Sequence, residues 1–167
     1  MGLDMDPSYN LRKFEPKDLY QVMSINQRCL PENYSENFFM SLYKNFPETF
    51  IVAEKKGMIV GYIMCRIESG LSGIGFTPLS FSKKGHIISI AVLPEHRGKG
   101  LGRALIEKAL ENMTRVYNAK SCYLEVRVSN EPAISLYKKV GFEVQRTIRG
   151  YYADGENAYI MSKKIQS

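Results

Sequence analysis

No apolar run in this 167-residue sequence reaches ten residues, and its near-continuous stretches, such as Ile87–Leu93, fall far short of the ~20 needed for a membrane-spanning helix. A secretion signal is equally absent, because Met1–Asn10 carries Asp4, Asp6 and Pro7 where such a signal has basic residues and then an apolar stretch. A cytoplasmic location is therefore expected. Cysteine is scarce and odd in number: Cys29, Cys65 and Cys122 are far apart and flanked by apolar residues, the pattern of buried free thiols rather than a disulfide framework. There is no internal repeat, low-complexity tract or Pro/Gly-rich linker, and a length close to the ~150 residues of a typical domain predicts one domain over residues 1–167.

What is present is an ordinary globular composition, 44% hydrophobic and 24% charged, which excludes a disordered chain. The net formal charge of +6 favours anionic partners. A basic nucleic-acid-binding module is one reading of the isoelectric point near 9.2, but the basic residues are scattered and no nucleic-acid motif is visible.

Periodicity predicts a strand over Tyr9–Phe14, a helix after Pro16 marked by Leu19, Val22, Met23 and Leu30, and a second helix from Ser35 through Phe38, Phe39, Leu42 and Tyr43. Strand-forming runs at Thr49–Glu54 and Met58–Ile67 surround a Lys56-Gly57 turn. Ser69–Gly85 reads as a long loop. Ile87–Leu93 has the character of a strand covered on both faces, and helical spacing starts at Gly100 and continues through Leu101, Leu105, Ala109, Met113 and Val116. A strand over Ser121–Val128 precedes a helix capped at Asn130 or Glu131 and ended by Gly141, and two more strands, Glu143–Ile148 and Tyr159–Lys163, flank the loop Arg149–Asn157. The expected architecture is an α/β fold, a mixed sheet of about seven strands with helices on both faces.

The richest chemical signal is the segment from Pro94 to Arg103, which contains Arg97-Gly98-Lys99-Gly100-Leu101-Gly102-Arg103 between the buried strand and the following helix. Glycines there let backbone N–H groups converge on an anion, and the helix N-terminus adds to the attraction, so a phosphate site is expected. A Walker loop requires Ser or Thr after Lys99, where Gly100 stands, and the dinucleotide fingerprint requires Gly at 103, where Arg103 stands. The spacing Arg97, Gly100, Gly102 instead resembles the pyrophosphate loop of the GNAT acetyltransferase superfamily.

The resemblance extends over nearly the whole chain, and more closely to archaeal-type catalytic subunits of protein N-terminal acetyltransferases. It is carried also by Leu30-Pro31-Glu32-Asn33-Tyr34, by Glu125-Val126-Arg127-Val128-Ser129-Asn130 with Ala133-Ile134 and Leu136-Tyr137, and by Gly150-Tyr151-Tyr152-Ala153-Asp154-Gly155-Glu156. Asn157 departs from it, standing where relatives often have Asp.

The resemblance implies a GNAT fold with a mostly antiparallel sheet and direct acetyl transfer from acetyl-CoA to a peptide α-amine, without a covalent enzyme intermediate. It places the CoA pyrophosphate on the backbone of Arg97–Arg103, and the pantetheine arm alongside Ile90, Ala91 and Val92. The Val92 N–H is the candidate oxyanion donor, Asn130 a contact to the cofactor arm, and Tyr137 the acid that protonates the departing sulfur. Leu30, Pro31, Glu32 and Tyr34 on one loop, and Tyr151 and Tyr152 on the other, are the candidate peptide contacts. An auxiliary subunit or the ribosome is a further partner compatible with the resemblance.

An α-amine with a pKa near ~8 is about one-tenth neutral at pH 7, against roughly 0.04% for lysine near ~10.4, so an N-terminal substrate needs far less help from a base than lysine does. Glu32, through a water, is the primary candidate for that base and His86 the second. His86 and Glu125 form at most a weak metal pair, so an essential metal is not expected. The alternative within the enzyme class is a GNAT acting on lysine or on a small-molecule amine.

Overall fold

A computed structural model describes residues 4–72 and 80–166. Its elements follow the predicted order: β1 (Asn10–Lys13), α1 (Leu19–Cys29), α2 (Glu36–Asn45), β2 (Phe50–Lys55), β3 (Met58–Ser72), β4 (Ser80–Val92), α3 (Leu101–Arg115), β5 (Ser121–Arg127), α4 (Glu131–Val140), β6 (Glu143–Ile148) and β7 (Ala158–Lys164). The Ser35 hydroxyl accepts from the Phe38 N–H at 3.2 Å and opens α2, and the Asn130 side-chain oxygen accepts from the Ala133 N–H at 3.3 Å and opens α4. The β2–β3 hairpin turns on Lys56 and Gly57, with φ of 52° and 79°, the double left-handed geometry that matches the twist of its strands.

The seven strands lie in the order β1-β2-β3-β4-β5-β7-β6, and every neighbouring pair is antiparallel except β4 with β5. The expected loop over Ser69–Gly85 is corrected. Residues 69–72 and 80–85 belong to β3 and β4, paired from Glu68 with Lys84 out to Ser72 with Ser80, and residues 73–79 lie outside the described residues. Backbone ladder bonds hold this hairpin extension, so its Gly- and Ser-rich composition does not break it.

Side-chain alternation along β2 and β3 splits the core into two layers. Ile51, Ala53, Ile63 and Cys65 face α3 and α4, packing with Leu105, Ile106, Ala109 and Met113. Phe50, Val52, Tyr62 and Met64 face α1 and α2, packing with Val22, Ile25, Phe39 and Leu42. On β5 the same alternation buries Cys122, Leu124 and Val126 against the α3/α4 layer, which leaves Tyr123, Glu125 and Arg127 on the opposite face. All three cysteines are free. Cys65 and Cys122 are buried, and burial pushes both thiols well above their ordinary pKa; Cys29 is only half-buried, its thiol 3.8 Å from the Val92 carbonyl oxygen.

Candidate active site

The parallel ladder between β4 and β5 runs only from Lys84–His86 to Ser121–Tyr123, and beyond it each strand continues without the other. On its opposite edge β4 stays paired with β3 as far as Val92, and the Leu93 N–H donates to the Val60 carbonyl at 2.9 Å. Backbone groups alternate sides along an antiparallel pair, so those of Val92 and Ile90 turn away from β3 into the opening beside β5, whereas those of Ala91 turn toward β3. The Val92 carbonyl is taken there by the Arg97 Nε–H at 2.9 Å. Ile90 and Val92 thus offer the edge to which an extended ligand can add as a strand.

The glycine loop closes one end of that opening. Pro94–His96 form a single 3-10 turn, Gly98 and Gly100 have φ of 77° and 81°, and Gly100 stands at the N-cap of α3 in a left-handed conformation that a side chain would strain. Lys99 and Gly98 are exposed, and Leu101 is buried beneath them. Of the loop's cations, Arg103 is engaged by Glu107 one helical turn away at 2.7 Å. At the far side α3 meets α4 closely: a methyl on Gly102 would lie 3.1 Å from Leu136 Cδ2.

Two loops meet over the end of β5, joined by one side chain. Arg127 donates to Glu32 Oε1 at 2.7 Å, to both oxygens of Asp154 at 2.9 and 3.0 Å, and to Glu156 at 2.9 Å. Its guanidinium also lies 4.1 Å from the centroid of the Tyr152 ring. Glu32 Oε2 has no protein partner among the described residues, so the carboxylate is oriented yet has a lone pair free. Asn26, buried on α1, donates to the Glu32 carbonyl at 3.0 Å and to the Tyr62 hydroxyl at 3.1 Å, and that hydroxyl is hydrogen-bonded to Ser89 on β4 at 2.7 Å. Burial pushes Tyr62 up to about 12.

Leu30 caps α1 and packs against the α1/α2 layer, whereas Pro31 is exposed and its carbonyl accepts from Asn33 at 3.1 Å. Tyr34 stacks on Phe38 with centroids 4.8 Å apart, and Tyr151 meets Tyr152 edge-on at 4.9 Å. Burial raises the pKa of Tyr34, Tyr151 and Tyr152, and the negative fields of Glu32 and Glu125 add to the effect in all three, so these hydroxyls stay protonated at neutral pH.

His86 sits where the β4–β5 ladder ends, 6% exposed and stacked on Tyr123 at 4.1 Å. Its Nε2 is 2.7 Å from Glu125 and its Nδ1 3.0 Å from Glu68. Burial works to raise the Glu68 carboxyl, but hydrogen bonds from Tyr123, His86 and Arg66 outweigh it and hold its pKa below the ordinary value. The two carboxylates lie on opposite ring nitrogens, and no group of three or more His, Cys, Asp or Glu among the described residues converges as metal ligands do.

Asn130 and Tyr137 both come from α4. Asn130 spends its oxygen on the helix cap and keeps its amide N–H groups. Tyr137 is 7% exposed, edge-on to Phe142, and burial pushes its pKa well up; no residue among those described hydrogen-bonds its hydroxyl. It is a protonated donor without a protein acceptor.

The model of the Acetyltransferase (GNAT) family matches residues 19–142, a span from α1 through the glycine loop to the end of α4. The chain belongs to the GNAT acetyltransferase family. It is similar to an N-alpha-acetyltransferase of Sulfurisphaera tokodaii, 49% identical over 94% of this chain and 93% of the relative. Among solved structures it is similar to Ard1 from Thermoplasma volcanium, with a TM-score of 0.79 and 33% identity over 96% of this chain and 99% of that one. Naa50 of Arabidopsis thaliana, solved with the bisubstrate analogue CoA-Ac-MVNAL, has a TM-score of 0.79 and 30% identity over 94% and 99% of the two chains. As a GNAT acyltransferase the chain uses acetyl-CoA as its cosubstrate.

Three residues of this geometry carry no sequence signal of a role. Arg127 lies in a strand motif, and Asn26 and Tyr62 have the pattern of ordinary helix and strand positions. The one hint is that Asn26 is a polar residue on the apolar face of α1.

Proposed function

We propose that the protein is an N-terminal acetyltransferase, transferring acetyl from acetyl-CoA to the α-amino group of protein N-termini within a ternary complex, and that residues 1–167 form a single catalytic domain. The observation that carries this reading is the Arg127 clasp. It ties the loop of Glu32 and Tyr34 to the loop of Tyr151 and Tyr152, so the amine must enter between two joined walls, a path that suits the end of a chain better than a lysine from its middle.

In this reading the pyrophosphate lies on the Arg97–Arg103 backbone, and the pantetheine arm runs along Ile90 and Val92. The amine nitrogen attacks the thioester carbonyl carbon, forming the C–N bond as the C–S bond breaks. The Val92 N–H stabilises the charge developing on the carbonyl oxygen. Glu32 takes the ammonium proton through a water on its free oxygen, and His86 with Glu125 is the second acceptor. Tyr137 gives its proton to the leaving sulfur, a role suited to a buried hydroxyl that stays protonated. Its substrate, the N-termini of newly made chains, goes with a cytoplasmic location; no helix of the described residues is long and apolar enough to cross a membrane.

The test is to supply acetyl-CoA with two peptides, one with a free N-terminus and no lysine, the other with a blocked N-terminus and an internal lysine. Acetylation of the first at a far higher kcat/KM is expected; equal rates would overturn the preference for α-amines.

A further inference from the structure

The segment before β1 lies against the glycine loop at three successive points. The Tyr9 hydroxyl is hydrogen-bonded to His96 Nδ1 at 2.8 Å, with the two rings edge-on at 5.7 Å. The Asp6 N–H donates to the Lys99 carbonyl at 3.0 Å. The backbone of Asp4 and Met5 covers Gly100 so closely that a methyl there would lie 3.1 Å from Met5 Cα and 3.2 Å from the Asp4 carbonyl oxygen.

The segment is itself well anchored. Asp6 Oδ1 accepts from the Ser8 N–H and hydroxyl at 2.9 and 2.8 Å, and the Asp6 carbonyl accepts from the Tyr9 N–H at 3.2 Å, which makes a closed turn. Tyr9 is 5% exposed beneath the Lys55 ammonium, and both Tyr9 and Met5 pack into the α3/α4 layer.

The contact with Lys99 has a directional consequence. A trans peptide is planar, with its C=O and N–H pointing opposite ways. When Asp6 holds the Lys99 carbonyl, it aims the Gly100 N–H away from the segment, toward the other side of the loop. We propose that Met5–Tyr9 is a positioning element for the phosphate loop, setting from behind the direction of an N–H that meets the CoA pyrophosphate and holding His96 and Gly100 in register with it. The proposal rests on the reading above that this loop takes the pyrophosphate of acetyl-CoA. It adds Tyr9 and Asp6, residues 87 and 93 positions from their partners, to the groups that determine cosubstrate affinity.

The experiment compares acetyl-CoA with S-acetylpantetheine, which carries the same thioester without pyrophosphate or nucleotide. It uses the wild type, Tyr9→Phe, which keeps the buried ring and loses the hydroxyl, and Asp6→Pro, which removes the N–H given to Lys99 together with the carboxylate bonds to Ser8. Asp6→Ala, which loses only those carboxylate bonds and is expected to keep wild-type affinity, is its control, and each variant is checked for an unchanged circular dichroism spectrum. In Tyr9→Phe and Asp6→Pro the KM for acetyl-CoA and the Kd of CoA are expected to rise about threefold to tenfold, the size of one lost hydrogen bond. The kcat at saturating acetyl-CoA, the peptide KM and kcat/KM with S-acetylpantetheine are expected to stay at wild-type values. Unchanged acetyl-CoA affinity in both variants, or equal losses with the two donors, overturns the proposal. A wild-type enzyme that used the two donors equally well would overturn the loop's assignment itself, and the proposal with it, a result seen before any variant is compared.

Discussion

Arg127 donates to Glu32 Oε1 at 2.7 Å across 95 residues of sequence, so the end of β5 holds the loop that carries the candidate base. The same guanidinium reaches Asp154 and Glu156 on the opposite loop. One cation thus sets the distance between the two walls of the proposed substrate entrance. Its Nε is the one buried side-chain nitrogen or oxygen without a hydrogen-bond partner among the described residues.

Replacing Arg127 by Met should separate the walls without touching the glycine loop. The expected result is a fall in kcat/KM for peptide of about tenfold to a hundredfold, the scale of a small misplacement of reacting groups, with the Kd of CoA unchanged. Arg127→Lys should recover only part of it, because a single ammonium cannot fork to three carboxylates. An equal loss of CoA affinity would place Arg127 in a different role.

The clasp should also give way in acid. A hydrogen bond from the Glu156 N–H, and then the Arg127 charge, lower the pKa of Asp154; hydrogen bonds from Ser129 and then Arg127 lower that of Glu156. Carboxyls depressed in the folded state contribute stability that is present above their unfolded pKa, near ~4, and lost as pH falls through the lower folded values. Melting temperature followed from pH 7 down to 3 should show the gap between wild type and Arg127→Met narrowing below about pH 4. A gap that stayed constant would mean that these carboxylates do not hold the clasp.

Much of this was legible in the sequence, and what was not has a common cause. Ser35 and Asn130 announce their helices because a cap acts within three residues, and the glycine loop is recognisable because it lies between a buried strand and a helix start. Arg127 in a strand pattern looks like any exposed basic residue, since its partners lie 27, 29 and 95 positions away. The outer part of the β3–β4 hairpin has the composition of a loop, because the residues it pairs, such as Ser69 with Lys83 and Gly70 with Ser82, show no apolar alternation. Contacts across the fold set these features, and composition near each residue does not reveal them.

The Asn26–Tyr62–Ser89 chain couples the core to the same loop. Tyr62→Phe removes the central hydroxyl and leaves Asn26 and Ser89, both buried, each short of a partner. A loss of about 1–3 kcal/mol in unfolding free energy is expected from denaturant titration. Because Asn26 also holds the Glu32 carbonyl, kcat should fall by more than the unfolded fraction accounts for; a rate reduced only in that proportion would confine the chain to stability.

Glu32 has one observed contact and one proposed role that a single substitution can separate. As a partner of Arg127 it needs an oxygen that accepts a hydrogen bond, and as a base it needs one that accepts a proton. Glu32→Gln keeps the first, because the amide oxygen still accepts from the guanidinium, and removes the second. The expected outcome is a fall in kcat of about tenfold at pH 7, where about a tenth of the α-amine is already neutral without a base, with the peptide KM and the Kd of acetyl-CoA near wild type. A rise in peptide KM with kcat preserved would instead make Glu32 a wall of the entrance held by Arg127, with the proton passing to His86. An unchanged rate and KM together would remove Glu32 from the mechanism. The proton then passes to His86 and its partner Glu125 at 2.7 Å, and His86→Ala in the Glu32→Gln background would lower the residual rate further.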